Sequence, residues 1–174
     1  MEIKAIETVY NGYKFRSRLE ARWAVFFDAA GIKYEYEPEG FEFYNWETAD
    51  TDWYLPDFYL PQLNCYVEVK GYMDDESKKK IEKFGQELIV LTNIPANQAE
   101  YFDQYCFYKQ NVDGFYGYNN FRYIDGDEYC AFFTLHNGNV WIAGGDHDQW
   151  DGGKLMDDCL LKARQARFEH GEKG

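Results

Sequence analysis

The sequence is poor in the residues that build metal–thiolate and disulfide frameworks. Its four cysteines, at 65, 106, 130 and 159, include no C-x-x-C pair, and none has a histidine at ligand spacing. Neither a zinc site nor a disulfide scaffold is expected, which leaves reduced, mostly buried thiols. His136, His147 and His170 stand far apart, and no role falls to them. Long apolar runs are missing too. No stretch of about 18 consecutive apolar residues occurs, and Met1 to Ile6 begins no run of signal length. The chain is expected to be soluble and cytoplasmic.

Positive charge is the remaining shortage. Lys and Arg number 18 against 31 Asp and Glu, a net charge of -13, whereas proteins that grip nucleic acid through many phosphates are usually basic. Tight non-specific binding by the whole surface is therefore not expected. A site for divalent cations remains open, because it needs several carboxylates and the neutralising charge arrives with the metal.

Aromatic residues, by contrast, make up 20% of the chain, which is far too much for a disordered polar polypeptide. A length of 174 residues suits one domain with a real core. No internal repeat or linker-like segment divides it, so 1–174 is read as a single domain.

Ser17-Arg18-Leu19-Glu20 has the S-x-x-E form of a capping box, Leu19, Trp23, Phe26, Phe27 and Ala30 follow at helical spacing, and Gly31 supplies a stop. This predicts a helix at about 17 to 30. The alternation in Lys33 to Glu37 predicts a strand closed by Pro38 and Gly40, and the polar stretch Asn45 to Asp52 reads as a loop. Tyr54 to Leu60 and Cys65 to Lys70 read as a hairpin joined by Pro61-Gln62-Leu63-Asn64. A surface helix over Asp75 to Gln86 and a buried strand at Leu88 to Leu91, ended by Thr92-Asn93, complete the order helix, three strands, helix, strand. Beyond it come a short helix near Ala96 to Gln104 and an aromatic, Gly- and Asn-rich stretch from Asp113 to Tyr123. A second hairpin follows, Tyr129 to Leu135 with Val140 to Ala143 through Asn137-Gly138, and then a helix from Lys154 to Glu169 with Leu155, Cys159, Ala163 and Ala166 on one stripe. This second half is expected to decorate the first.

The chemistry concentrates in the first hairpin. Side chains two apart in a strand share a face, so Tyr66, Glu68 and Lys70 point one way while Cys65, Val67 and Val69 point the other. If Leu60 pairs with Cys65, counting outward sets Asp57 opposite Glu68. Two opposed carboxylates roughly 5 Å apart at Cβ repel unless something positive lies between them, and a divalent cation would serve. Lys70 beside them is a candidate to position or deprotonate a water, or to stabilise charge on a phosphate.

In this order, Phe15-Arg16-Ser17-Arg18-Leu19-Glu20 on the helix, Leu55-Pro56-Asp57-Phe58 and Val67-Glu68-Val69-Lys70-Gly71 resemble the restriction-endonuclease-like PD-(D/E)XK nuclease superfamily over roughly residues 10 to 92. The resemblance implies an α/β fold: a restriction-endonuclease-like αβββαβ core with a central mixed sheet flanked by helices. Residues 1–95 would form that core, and 96–174 a C-terminal extension with a β-hairpin and a helix. It further implies Mg²⁺ (or Mn²⁺) bound by Glu20, Asp57, Glu68 and the carbonyl of Val69, with Lys70 assisting the attacking water. Glu20, Asp57, Glu68 and Lys70 would then be the catalytic residues of a DNA endonuclease. The ending Ala163 to Glu172 is similar to that of small bacteriophage and prophage members, which implies a bacterial host cell. Glu20 also has a purely structural reading, as the residue that completes the capping box.

Lys14, Arg16, Arg18 and Arg22 gather at the first helix and Lys78, Lys79, Lys80 and Lys83 on the second, and both groups are candidates to hold DNA phosphates, with ordinary solvated faces as the alternative. Phe115, Tyr116, Tyr118, Asn119 and Phe121 within 113–123 are a candidate surface for stacking bases or for a protein partner, with packing as the alternative. Asp146 to Asp151 lacks the EF-hand pattern and reads as a solvated loop. The rival to an enzyme is a non-enzymatic phage protein on a nuclease-like fold that binds a host protein. The sequence leaves open whether the chain forms a homodimer.

Overall fold

The computed structural model describes residues 5–45, 49–94, 106–109, 132–136, 139–143 and 153–168. Within them the chain is a mixed α/β structure with three helices: α1 (Arg18–Ala30), α2 (Asp75–Lys83) and α3 (Gly153–Gln165). The main sheet has five strands in the order β3 (Glu35–Tyr36), β6 (Phe58–Leu60), β7 (Cys65–Lys70), β8 (Leu88–Thr92) and β9 (Cys106–Lys109). Only the β7–β8 pair is parallel, with α2 as its crossover; the other pairs are antiparallel. Three further strand pairs are short antiparallel ribbons: β1 (Thr8–Tyr10) with β2 (Tyr13–Phe15), β4 (Phe41–Asn45) with β5 (Asp50–Tyr54), and β10 (Phe132–His136) with β11 (Asn139–Ala143).

The two-residue period of β7 and β8 divides the interior. Cys65, Val67, Val69, Ile89 and Leu91 face α1, where Trp23, Phe26 and Phe27 are fully buried. Tyr66, Leu88 and Val90 face α2, meeting Ile81 and Phe84. Both strands are thus covered on both sides, which explains their near-continuous apolar character. At α1, Ser17 caps the start by accepting from the Glu20 N–H, and Gly31 in the left-handed region closes the end, with its N–H on the Asp28 carbonyl and the Ile32 N–H on that of Phe27. This is a Schellman stop, which a glycine makes without a Cβ penalty.

The expected hairpin is present, with Leu60 paired to Cys65 and Phe58 to Val67 around a four-residue connection. Other expectations are corrected. Lys33 to Glu37 yields only the two-residue β3, because Glu37 takes a positive φ of 46° and its N–H turns to the Asp57 carbonyl. The supposed loop 45–52 instead includes strand residues, the end of β4 at Asn45 and the start of β5 at Asp50, and Phe41 and Phe43 of this arm pack on the α2-side core while Glu42 and Tyr44 are exposed. Tyr54 to Leu60 is not one strand. The chain leaves β5 at Tyr54 and enters β6 at Phe58, and Pro56 between them has no N–H for a ladder. Helix α2 stops at Lys83, three residues early, where Phe84 turns extended to reach the core. The final helix likewise ends at Gln165.

Nor is the second half mere decoration. Cys159, Leu160 and Ala163 of α3 belong to the α1-side core, Arg164 donates to the Ile94 carbonyl, and β9 extends the main sheet. Helix α1 is buried around most of its girth because the sheet covers one side and α3 packs against it. The expected helix near 96–104, the aromatic stretch 113–123 and the loop 146–151 lie outside the described residues. Cys65 and Cys159 are buried free thiols, and among the described residues no helix is long and apolar enough to cross a membrane.

Candidate active site

The end of β6 explains how Asp57 is held. The β6–β7 ladder stops at Phe58 and Val67, so the Val69 N–H, two residues further on, has no strand partner. Asp57 supplies one: its Oδ2 accepts from the Val69 N–H at 2.7 Å, and this fixes the carboxylate beside β7. In a strand the N–H and C=O of one residue point to the same edge. The Val69 carbonyl therefore opens on the Asp57 side, while the Tyr66 N–H bonds toward β8 through the Glu87 carbonyl.

Glu68 lies one position along, on the α2 side of β7. Lys70 Nζ is 2.6 Å from its Oε1, and the Tyr54 hydroxyl donates to its Oε2 at 2.9 Å. Asp57 and Glu68 are each only 3% exposed. The remaining oxygen of Asp57 takes the Arg16 guanidinium at 2.7 Å, and Arg16 also binds Glu37 through Nε at 2.6 Å. Arg16 reaches there because β2 buries Phe15 in the core and delivers the next residue to the site edge.

Glu20 is buried at 7% exposure, but its carboxylate is turned to the start of its own helix. It accepts from the Ser17 hydroxyl at 2.7 Å, the Tyr36 hydroxyl at 2.7 Å and the Arg16 N–H at 3.1 Å. The Ser17 cap is therefore present, but the returning Glu20 carboxylate meets the Ser17 hydroxyl and the Arg16 N–H, one residue before the cap, so the reciprocal bond of a capping box is replaced by these two. Glu20, Asp57, Glu68, Val69 and Lys70 nevertheless line one cleft of about 510 Å³, together with Arg16 and Lys80.

Burial, and after it the charges of Glu68 and Glu20, hold the Asp57 carboxyl well above its ordinary value; the Val69 N–H and Arg16 pull the other way. The Tyr54 hydroxyl is pushed up by burial and then by Glu68, and that of Tyr36 by burial and then by Glu20. Both stay protonated at neutral pH and act as donors. The site thus gathers buried carboxylate oxygens that repel one another, which is the donor chemistry of Mg²⁺ or Mn²⁺. Among the described residues, however, no three acidic, histidine or cysteine side chains converge tightly enough to enclose an ion. Asp57 and Glu68 are the two carboxylates beside β7, with the Val69 carbonyl on the Asp57 side. Glu20 would have to leave its cap to join.

The basic residues are distributed less evenly than the sequence suggests. Arg16 and Lys80 line the cleft; Lys14, Arg18, Arg22, Lys78, Lys79 and Lys83 are not among its lining residues. Lys14 pairs with Glu7 at 2.7 Å, Lys78 with Asp75 at 3.5 Å, Lys80 with Glu76 at 2.8 Å, and Lys83 stands 4.0 Å from Asp52. Arg22 is half-buried on α1 with its Nε enclosed. Tyr54 and Tyr36 are contributors that sequence reasoning missed. Their only signal was position, Tyr54 three residues before Asp57 and Tyr36 across from Phe58 in the β3–β6 pair.

No family model matches this chain, and no curated protein or solved structure matches it.

Proposed function

We propose that the protein is a metal-dependent nuclease, on a restriction-endonuclease-like core, that hydrolyses DNA phosphodiester bonds in a bacterial host cell. The observation that carries this reading is the buried Asp57–Glu68 pair, joined to Lys70 at 2.6 Å in an open cleft. Asp57, Glu68 and the Val69 carbonyl would hold Mg²⁺ or Mn²⁺, with Glu20 as a further carboxylate once released from its cap. A bound divalent cation would supply Lewis acidity and activate water. Lys70 stands on the same strand face as Glu68, where its ammonium orients the attacking water or stabilises charge growing on the phosphate. Tyr54 fixes the second oxygen of Glu68, so that the first remains aligned with Lys70. Attack by water leaves no covalent enzyme intermediate.

A second reading, a non-enzymatic phage protein on this scaffold that binds a host protein, draws support from two features. Each of the three carboxylates already has protein donors, and the net charge is -13. Titrating Mg²⁺ and Mn²⁺ against a panel of DNA and RNA substrates separates the two. Metal-dependent cleavage supports the enzyme, and no cleavage with any metal or substrate favours the binding protein.

A further inference from the structure

The β4–β5 arm carries a residue that neither the core nor the metal chemistry explains. Its inner face, Phe41 and Phe43, is packed on the α2-side core with Tyr54. Its outer face presents Trp53, paired across the ribbon with Glu42. The Trp53 side chain is 66% exposed, makes no hydrogen bond or ring contact among the described residues, and lines the same cleft as Asp57, Glu68 and Lys70. A large ring left in water beside the cleft has a free-energy incentive to be covered.

The charges around the cleft restrict what covers it. Arg16, Lys70 and Lys80 each already hold a carboxylate, at 2.7, 2.6 and 2.8 Å respectively. A continuous duplex is held mainly by phosphate neutralisation, which these engaged cations and the acidic surface supply poorly. A single strand offers a second source of affinity, because its unstacked bases can lie on an aromatic ring whatever their sequence. A base inside a duplex is already stacked on its neighbours and cannot.

Resting on the nuclease reading of this cleft, we propose that Trp53 is a stacking platform for an unpaired base, so that the site takes single-stranded DNA in preference to continuous duplex. Trp53 grips the base, and the strand's phosphate is thereby directed along the cleft toward Glu68 and Lys70. The residue acts in specificity, not in bond breaking.

The test is fluorescence anisotropy of a labelled oligothymidylate and of a labelled duplex of equal length. It uses the full chain with Ca²⁺ in place of Mg²⁺, and wild type, Trp53→Phe and Trp53→Ala. Wild type should bind the single strand more tightly than the duplex. Trp53→Ala should weaken single-strand binding roughly 5- to 150-fold, the range for loss of one stacked base. Trp53→Phe should retain most of the affinity, and duplex binding should change little in either variant. Thermal unfolding should be unaltered, since the ring is exposed. Single-strand binding that survives Trp53→Ala unchanged, or a duplex bound as tightly as the single strand, overturns the proposal. If wild type still cleaves DNA with Mn²⁺ in either case, the nuclease reading stands without it; if no DNA is bound or cut under any metal, both fall together.

Discussion

Arg16 and Asp57, 41 residues apart in the chain, meet in a guanidinium–carboxylate bond of 2.7 Å at the cleft. The arginine therefore stands at the carboxylate a metal ion would use, and it compensates Asp57 while no metal does. The Arg16 guanidinium keeps its proton all the more firmly: burial opposes this, but Asp57, Tyr36, Glu37 and Glu20 outweigh it.

Removing that compensation should have opposite effects with and without metal. Arg16→Ala leaves a buried carboxylate facing Glu68, which should cost about 1–2 kcal/mol of metal-free stability, discounted because the arginine side chain is 54% exposed. Saturating Mg²⁺ should recover more stability in the variant than in wild type, because the ion no longer competes with a guanidinium. Thermal unfolding with and without Mg²⁺ measures both. Equal Mg²⁺ stabilisation in the two proteins would show that Arg16 and the metal do not share Asp57.

The pH dependence of the metal-free protein follows from Asp57. Its carboxyl is raised above 3.8, by burial first and then by Glu68 and Glu20, so the folded chain retains a proton that the unfolded chain releases. The stability this contributes is fully present below the unfolded value and is lost as pH rises through the raised folded one. Denaturant titrations should therefore show metal-free stability falling from about pH 4 upward. Asp57→Asn should flatten the fall while keeping an acceptor for the Val69 N–H. A variant with the same slope as wild type would assign the pH dependence elsewhere.

Lys70 and Tyr54 both hold Glu68, yet their removal should read differently. Lys70→Ala should reduce single-turnover cleavage by about 10²- to 10⁴-fold, in the range of a lost proton-transfer group, while calorimetric metal binding persists. Tyr54→Phe should lower metal-free stability by about 1–2 kcal/mol, because a buried carboxylate loses a donor. Undiminished cleavage by Lys70→Ala would remove that residue from the mechanism.

Glu20 serves the start of its helix in the structure, and that role can be tested apart from any metal role. Ser17→Ala should cost about 1 kcal/mol of stability with metal affinity little changed. Glu20→Gln keeps the acceptor geometry in part and should lower metal affinity if the side chain swings into the cleft on loading. Calorimetry on Glu20→Gln with wild-type affinity would confine Glu20 to the cap.

Much of this site is legible in the sequence because a strand's period is rigid. Once Leu60 meets Cys65 across Pro61 to Asn64, Asp57 must fall beside Glu68, and Glu68 and Lys70 must share a face. The Ser17 cap and the Gly31 stop of α1 are equally local. The arm that carries Trp53 and Tyr54 is not legible, because Asn45 to Asp52 is polar and hides the strands on either side of the turn. Phe41 and Phe43 alternate, and that was its one signal. Asn11-Gly12, with φ of 47° and 83°, turns the first hairpin in the manner that Asn-Gly favours, a signal present and overlooked. The roles of Tyr36 and Tyr54 escape local reading altogether, since among 16 tyrosines nothing nearby marks the two whose hydroxyls meet the carboxylates of Glu20 and Glu68.

The central claim, that Asp57 and Glu68 hold a cation that drives phosphodiester hydrolysis, is tested most directly by comparing wild type and Glu68→Gln in a Mn²⁺-dependent DNA cleavage assay, with calorimetric Mn²⁺ titration of the same samples. The account predicts that wild type binds Mn²⁺ and cuts DNA, and that Glu68→Gln remains folded but loses both metal affinity and cleavage. Cleavage by Glu68→Gln at the wild-type rate, or a wild type that neither binds Mn²⁺ nor cuts any DNA, would contradict it.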